Sequence, residues 1–302
     1  MNTPLMTLEL VVIGTALALL LLDLWLPAER RRHLGYAAAV ILGIALLGSF
    51  AWHPQIAQYG FSNSYVLDPL ALFFKRFFLL AAIFVLIMSV DFADRIPVGI
   101  TEFYVLILFA LSGMMFASST NDFIMLFVSL ELITVTFYIL TSYQRSRVRS
   151  LEAGVKYLIL GALSTGFTLF GIALIFGTAQ TTNFTEILQK HALLDSKLFV
   201  LGVFMVSIGL GFKIAAFPFQ IWAPDVYQGS PAPVTAFLAV GSKAAGFVLL
   251  LRVLFEAVPA VTSKWVNVII IISGITILYG NLCALPQVNV KRLLLSGRIV
   301  RM

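Results

Sequence analysis

Runs of apolar residues about 20 long, separated by short polar loops, set the pattern of this chain. A helix needs about 20 such residues to cross a bilayer at about 1.5 Å per residue. Runs of that kind lie at 7–26, 34–52, 69–90, 102–119, 122–141, 152–177, 198–223, 233–256 and 265–285. They predict an all-α, polytopic transmembrane helix bundle of about nine spans plus the start of a tenth. If each span crosses once, Arg30–Arg32, Arg145–Arg149 and Lys291–Arg292 fall on one side, which the positive-inside rule makes cytoplasmic. The loop from His53 to Asp68 and the Thr120–Asn121 turn lack basic residues and fall opposite, which puts the N-terminus outside. The loop at 91–101 is the weak point of this alternation, with Asp91, Asp94 and only Arg95. The polar, amphipathic segment Thr182–His191 is expected at the outer interface.

Composition agrees and removes other classes. Of 302 residues, 60% are hydrophobic and 11% charged, with a mean hydropathy of +1.00. Soluble domains carry roughly one quarter charged residues. The net charge of +6 comes from the basic loops and carries no nucleic-acid message. Cys283, the single cysteine, can make no intrachain disulfide and reads as a small core side chain. Thr7–Leu26 followed by Arg30–Arg32 reads as a retained first span, because no cationic leader or small-residue cleavage site precedes it. No dinucleotide fingerprint, P-loop, CxxC pair or HExxH occurs. His33, His53 and His191 are scattered through loops without metal-ligand spacing, so no redox, nucleotide or metal site is expected.

Three charges interrupt the apolar runs near their centres: Glu131, Lys213 and Lys243. A lysine at mid-membrane costs about 2.5–3.5 kcal/mol even on the lenient insertion scale, and such residues mark ion or proton pathways. Glu131 shares a helical face with Thr134 and Tyr138. Lys213 shares one with Gly209 and Gln220, and Pro218 follows it by little more than a turn. Proline has no N–H, so the carbonyl of Ile214 loses its partner and one discontinuous helix is expected near Pro218. Broken helices at that depth line cavities and build transport sites. Lys243 shares a face with Thr235, Ala239 and Gly246, small enough to admit a neighbouring helix. The bland alternatives are a carboxylate that only locks helices, a proline kink and a lysine that satisfies a buried acid. For Lys75, Arg76, Lys156 and Arg252 the expectation is interface anchoring, with Lys156 the exception to watch. Asp225 and Tyr227 are read as loop residues at the cytoplasmic side.

The run GFKIAAFPFQIWAPDVYQGSPAPVTAFLAVGSKAAGF (Gly211–Phe247) resembles the signature of the antiporter-like membrane subunits of respiratory complex I, in particular the subunit N family of bacterial NADH-quinone oxidoreductase. The earlier block FVSLELITVTFYILTSYQRSRVRSLEAGVKYLILGALSTGF (Phe127–Phe167) resembles the same family. The likeness runs to about Leu294. It implies a proton-pathway set of Glu131, Lys213, Lys243 and Lys156, with no cofactor bound by this chain. NADH, FMN, iron-sulfur clusters and quinone would belong to other subunits. It further implies other complex I membrane subunits and the lipid bilayer as partners, no nucleic acid, and a place in the bacterial cell inner membrane with a periplasmic N-terminus. The expected division is 1–98 for N-terminal transmembrane helices, 99–256 for a first antiporter-like repeat with a proton half-channel, and 257–302 for the start of a second repeat. Two departures stand out. Gln220 occupies a place where many relatives have histidine, and Leu295–Met302 does not resemble the family, which reads as a C-terminally truncated or frame-shifted end. The rival expectations are a multi-subunit cation/proton antiporter component and an inactive truncated remnant.

Overall fold

The computed structural model describes residues 3–52, 56–96, 99–190 and 196–286; for Thr3, residues 260–264 and Ala284 it describes the backbone alone. His53, His191, Lys291, Arg292 and the segment 295–302 lie outside the described residues.

The apolar runs fold as helices. α1 is Thr7–Asp23, α2 Leu34–Ser49, α3 Pro69–Asp91, α4 Ile100–Ser118, α5 Phe123–Thr141 and α6 Val148–Ala179. α7 is Lys197–Ile214, α8 Ala223–Gly229, α9 Ala232–Phe237, α10 Lys243–Leu251 and α11 Pro259–Ala284. Nine helical stretches among the described residues are long and apolar enough to cross a membrane, from Pro4–Asp23 to Trp265–Cys283. The chain is a polytopic, multi-pass helical membrane bundle. Among the described residues the strands are a hairpin of β1 (Gln58–Gly60) and β2 (Tyr65–Leu67), paired antiparallel.

Helix starts follow local chemistry. Asp68 accepts from Ala71 N with Pro69 at the first helical position, Asp122 accepts from Ile124 N, and Ser196 accepts from Phe199 N. α4 packs against α1, α3, α5 and α10 at the centre of the bundle. α6 and α7 approach so closely that a Cβ at Gly171 would meet the Gly202 carbonyl at 2.6 Å. Small residues give this contact in membranes, where lipid competes on equal terms with any larger apolar side chain.

The spans alternate in direction. The hairpin, the start of α1, Thr120–Asn121 and the short helix Phe184–Leu188 meet at one end: Asn183 Nδ2 donates to Asn63 O at 2.9 Å, and Tyr65 Oη to Leu5 O at 3.0 Å. At the opposite end Arg32 pairs with Asp94 at 3.0 Å, and Tyr143 Oη donates to Gly99 O. The weakly charged loop after α3 thus sits with the arginine loops, as single crossings require.

The span expected at 233–256 is present as Ala232–Ala257, with π-helical turns at Leu238–Ser242 and Arg252–Ala257 flanking α10. Such widened turns mark functional segments more often than chance. Cys283 is half-buried on α11 rather than in the core.

Candidate functional site: three charges around a broken helix

α7 stops at Ile214, one turn before Pro218. Ala215 takes a left-handed conformation (φ 60°), Ala216 N donates to Gly211 O at 2.9 Å, and a 3-10 turn at Phe219–Trp222 leads into α8. Trp222 Nε1 donates to Phe212 O at 3.0 Å, and Phe217 N donates to Thr276 Oγ1 on α11 at 3.1 Å. The discontinuity near Pro218 is therefore present, and two backbone groups around it, Phe212 O and Phe217 N, find side-chain partners. Gln220 lies beyond the break, so it does not share the helical face of Lys213.

Lys213 occupies the last turn of α7, where the negative end of the helix dipole favours a cation. It is 3% exposed, and its Nζ donates to Thr134 Oγ1 at 2.8 Å. Thr134 stands three residues after Glu131 on α5, as the shared face predicts. Glu131 is half-buried, accepts from Thr165 Oγ1 of α6 at 2.7 Å, and acts electrostatically on Lys213. The stem of Lys213 lies against Gly246, where a Cβ would stand 3.2 Å from its Cγ. Gly246 is one turn from Lys243. The carboxylate of α5 thus acts on the lysine at the break, and α10, which carries Lys243, packs against the stem of that lysine.

Lys243 is 2% exposed, with its amine 5.8 Å from the centre of the Tyr227 ring. An aromatic column continues from it: Trp222 edge-on to Tyr227 at 6.2 Å, Tyr157 stacked on Trp222 at 4.7 Å, and Tyr138 edge-on to Tyr157 at 4.9 Å. The column links the lysine back to α5, which carries both Tyr138 and Glu131.

Lys156 stands apart from the other three, towards the arginine end. Its Nζ pairs with Glu152 at 2.6 Å and Asp225 at 2.8 Å, beside a cavity of about 300 Å³ lined by Arg149, Glu152, Asp225 and Gln228. Asp225 is therefore an ion-pair partner and not merely a loop residue.

Sequence reasoning missed Thr165 and the aromatic column, which no spacing along one helix could signal. It also misread two cations. Lys75 does not snorkel: it is wholly buried and paired with Glu9 at 2.8 Å. Arg252 is 1% exposed and forks onto Asp68 at 2.7 and 2.8 Å. Both find acids on distant segments, so reaching water is unnecessary. Arg76 donates to the carbonyls of Ser49 and Trp52.

Residues 120–297 match the family described as NADH:quinone oxidoreductase/Mrp antiporter, TM. This chain belongs to that family. A subunit N of NADH-quinone oxidoreductase from Heliobacterium modesticaldum is 41% identical over all of this chain and 64% of its own length. The protein of that name from Moorella thermoacetica is 39% identical over 99% of this chain and 63% of its own. A chain of respiratory complex I from Thermus thermophilus, solved with bound aureothin, superposes with a TM-score of 0.80 at 32% identity, over 97% of this chain and 62% of that one. The chain thus spans somewhat less than two thirds of these relatives. The matched family segment holds Glu131, Lys156, Lys213 and Lys243; Glu9, Tyr65 and Lys75 precede it. Among the described residues no cluster of His, Cys, Asp and Glu could hold a metal ion.

Proposed function

We propose that this chain is a membrane subunit of a proton-translocating NADH-quinone oxidoreductase, in which Glu131, Lys213, Lys243 and Lys156 form a proton half-channel. NADH, FMN, iron-sulfur clusters and quinone belong to other subunits, and the other membrane subunits are its partners. It sits in a bacterial inner membrane with the N-terminus periplasmic and the arginine end cytoplasmic. Residues 1–98 support the half-channel, 99–256 contain it, and 257–302 open a second repeat.

The observation that carries this reading is the position of Lys213. Its amine hangs on one hydroxyl, Thr134, at the end of a broken helix, with Glu131 one turn away. Burial disfavours a charged amine and a neighbouring carboxylate favours it. Any change that moves or neutralises Glu131 therefore alters how firmly Lys213 holds a proton. Lys243, reached past Gly246, receives the proton towards the membrane centre. Asp225 and Lys156, beside the polar cavity, serve its entry from the arginine end. The family also includes Mrp antiporters, but relatives at 36–41% identity carry the oxidoreductase name.

The test compares Lys213→Ala with Lys213→Arg in the assembled complex. Alanine is expected to reduce NADH-driven proton uptake at least tenfold, while arginine, which keeps the charge, retains more. Equal loss in both variants means that Lys213 packs helices and moves no proton.

A further inference from the structure

The hairpin end of the bundle holds a second group of buried charges that the Glu131 site does not use. Glu9 on α1 and Lys75 on α3 each have 0% of their side chain exposed, and Lys75 Nζ lies 2.8 Å from Glu9 Oε1. Tyr65 Oη, on β2, lies 2.9 Å from the same oxygen and 3.0 Å from Leu5 O, and accepts from Lys75 at 2.5 Å. Its single hydrogen can serve Glu9 or Leu5 but not both. Burial, and next the charge of Glu9, push the Tyr65 hydroxyl well above the usual phenol range, so it stays protonated. Glu9 Oε2 is also buried, and among the described residues no donor reaches it. An orphaned oxygen of that kind calls for an explanation.

Arg252 lies within electrostatic range of Lys75 and binds Asp68 at 2.7 and 2.8 Å and Glu256 at 2.6 Å. Glu9, Asp68 and Glu256 make three carboxylates against two cations, Lys75 and Arg252. One proton neutralises the group, and charge left unbalanced in a low-dielectric interior is unfavourable. Side-chain exposure is 0% at Glu9, 16% at Asp68 and 36% at Glu256, and both Asp68 and Arg252 act electrostatically on Lys75. Other charges at this end are engaged elsewhere. Asp122 binds Ile124 N and Thr182, Glu186 binds Thr181, Lys190 binds Ala179 O, and Arg76 binds the carbonyls of Ser49 and Trp52.

We propose that Glu9, Tyr65 and Lys75 form a second proton-binding site, which exchanges with the surface at the hairpin end past Asp68 and Glu256. Its use in pumping rests on the function proposed above. The proton adds to Glu9 Oε2, forming an O–H bond as a hydronium ion becomes water; release reverses the step. Tyr65 holds Lys75 in both states, so the amine is never stranded when Glu9 is neutral.

The test uses the assembled complex with Glu9→Gln, Lys75→Met and the double substitution. Infrared difference spectra between acidic and alkaline buffer should contain a protonated-carboxyl band that Glu9→Gln removes. Identical spectra in parent and variant overturn the site. Lys75→Met strands the buried Glu9 carboxylate and is expected to reduce assembly, whereas Glu9→Gln, in which Tyr65 still accepts from Lys75, and the double substitution assemble. A double variant that assembles in parental amounts but pumps at no more than half the parental rate supports the proposal. Parental pumping would make the pair a structural clasp and overturn its role. Lys213→Ala, run alongside, separates the two premises. If it too pumps normally, the pumping function has failed, and the infrared band alone decides the site.

Discussion

Replacing Arg252 by methionine should be among the most damaging single changes to stability. The guanidinium is 1% exposed and makes five hydrogen bonds: two to Asp68, one to Glu256 and two to Ser118 O at 2.9 and 3.2 Å. Methionine keeps most of the volume, so the loss is mainly electrostatic. It strands Asp68, whose side chain is 16% exposed, while Glu256, at 36%, can turn partly to solvent. Breaking a buried pair from one side costs about 3–5 kcal/mol. The exposure of the acids favours the lower part of that range, a shift of roughly a hundredfold in the folding equilibrium at about 1.4 kcal/mol per tenfold. The assay is the fraction of detergent-solubilised protein that stays folded across a denaturant series. Adding Asp68→Asn should restore more than half the loss, because asparagine removes the stranded charge yet still caps α3 at Ala71 N. Lys156→Met offers the contrast. That side chain is 44% exposed, those of its acids 40% and 56%, and little change is expected. An Arg252→Met protein as stable as the parent, or no rescue by Asp68→Asn, would refute the assignment of a buried ion pair here.

Further outcomes follow from other contacts. Gly171→Leu should force α6 and α7 apart, since even a Cβ there meets the Gly202 carbonyl; overpacking of this kind costs about 1–3 kcal/mol, and purified yield or thermal stability reads it. Because Thr165 and Lys213 sit on those two helices, proton uptake should fall with it. At the arginine end, burial and then the charge of Glu102 raise the Tyr143 hydroxyl from its ordinary 10.0 to about 12. The fold thus favours the protonated phenol, a contribution complete below about pH 10 and lost as pH rises through about 12. Tyr143→Phe should flatten the fall in thermal stability across that window, and an unchanged alkaline slope would show that Tyr143 does not contribute.

Much of this molecule could be read from the chain alone. Spans, their alternation, the break near Pro218 and the three mid-membrane charges are legible because a bilayer imposes a length and a polarity on each segment. Those constraints act locally, so a run such as 69–90 declares itself without knowledge of its neighbours. Partners are different. Thr134 could be placed beside Glu131, but only the packing of α7 on α5 puts Lys213 on its hydroxyl, and only α6 brings Thr165 to the carboxylate. Lys75 and Arg252 were misread for the same reason. Whether a long cation reaches for water or for an acid depends on what lies across the interface, and Glu9 and Asp68 are 66 and 184 residues away in sequence. Local sequence thus determined which segments enter the membrane and where charge is carried with them. The tertiary structure decided which of those charges meet, because pairing in a low-dielectric interior depends on distances of a few ångströms between separate helices.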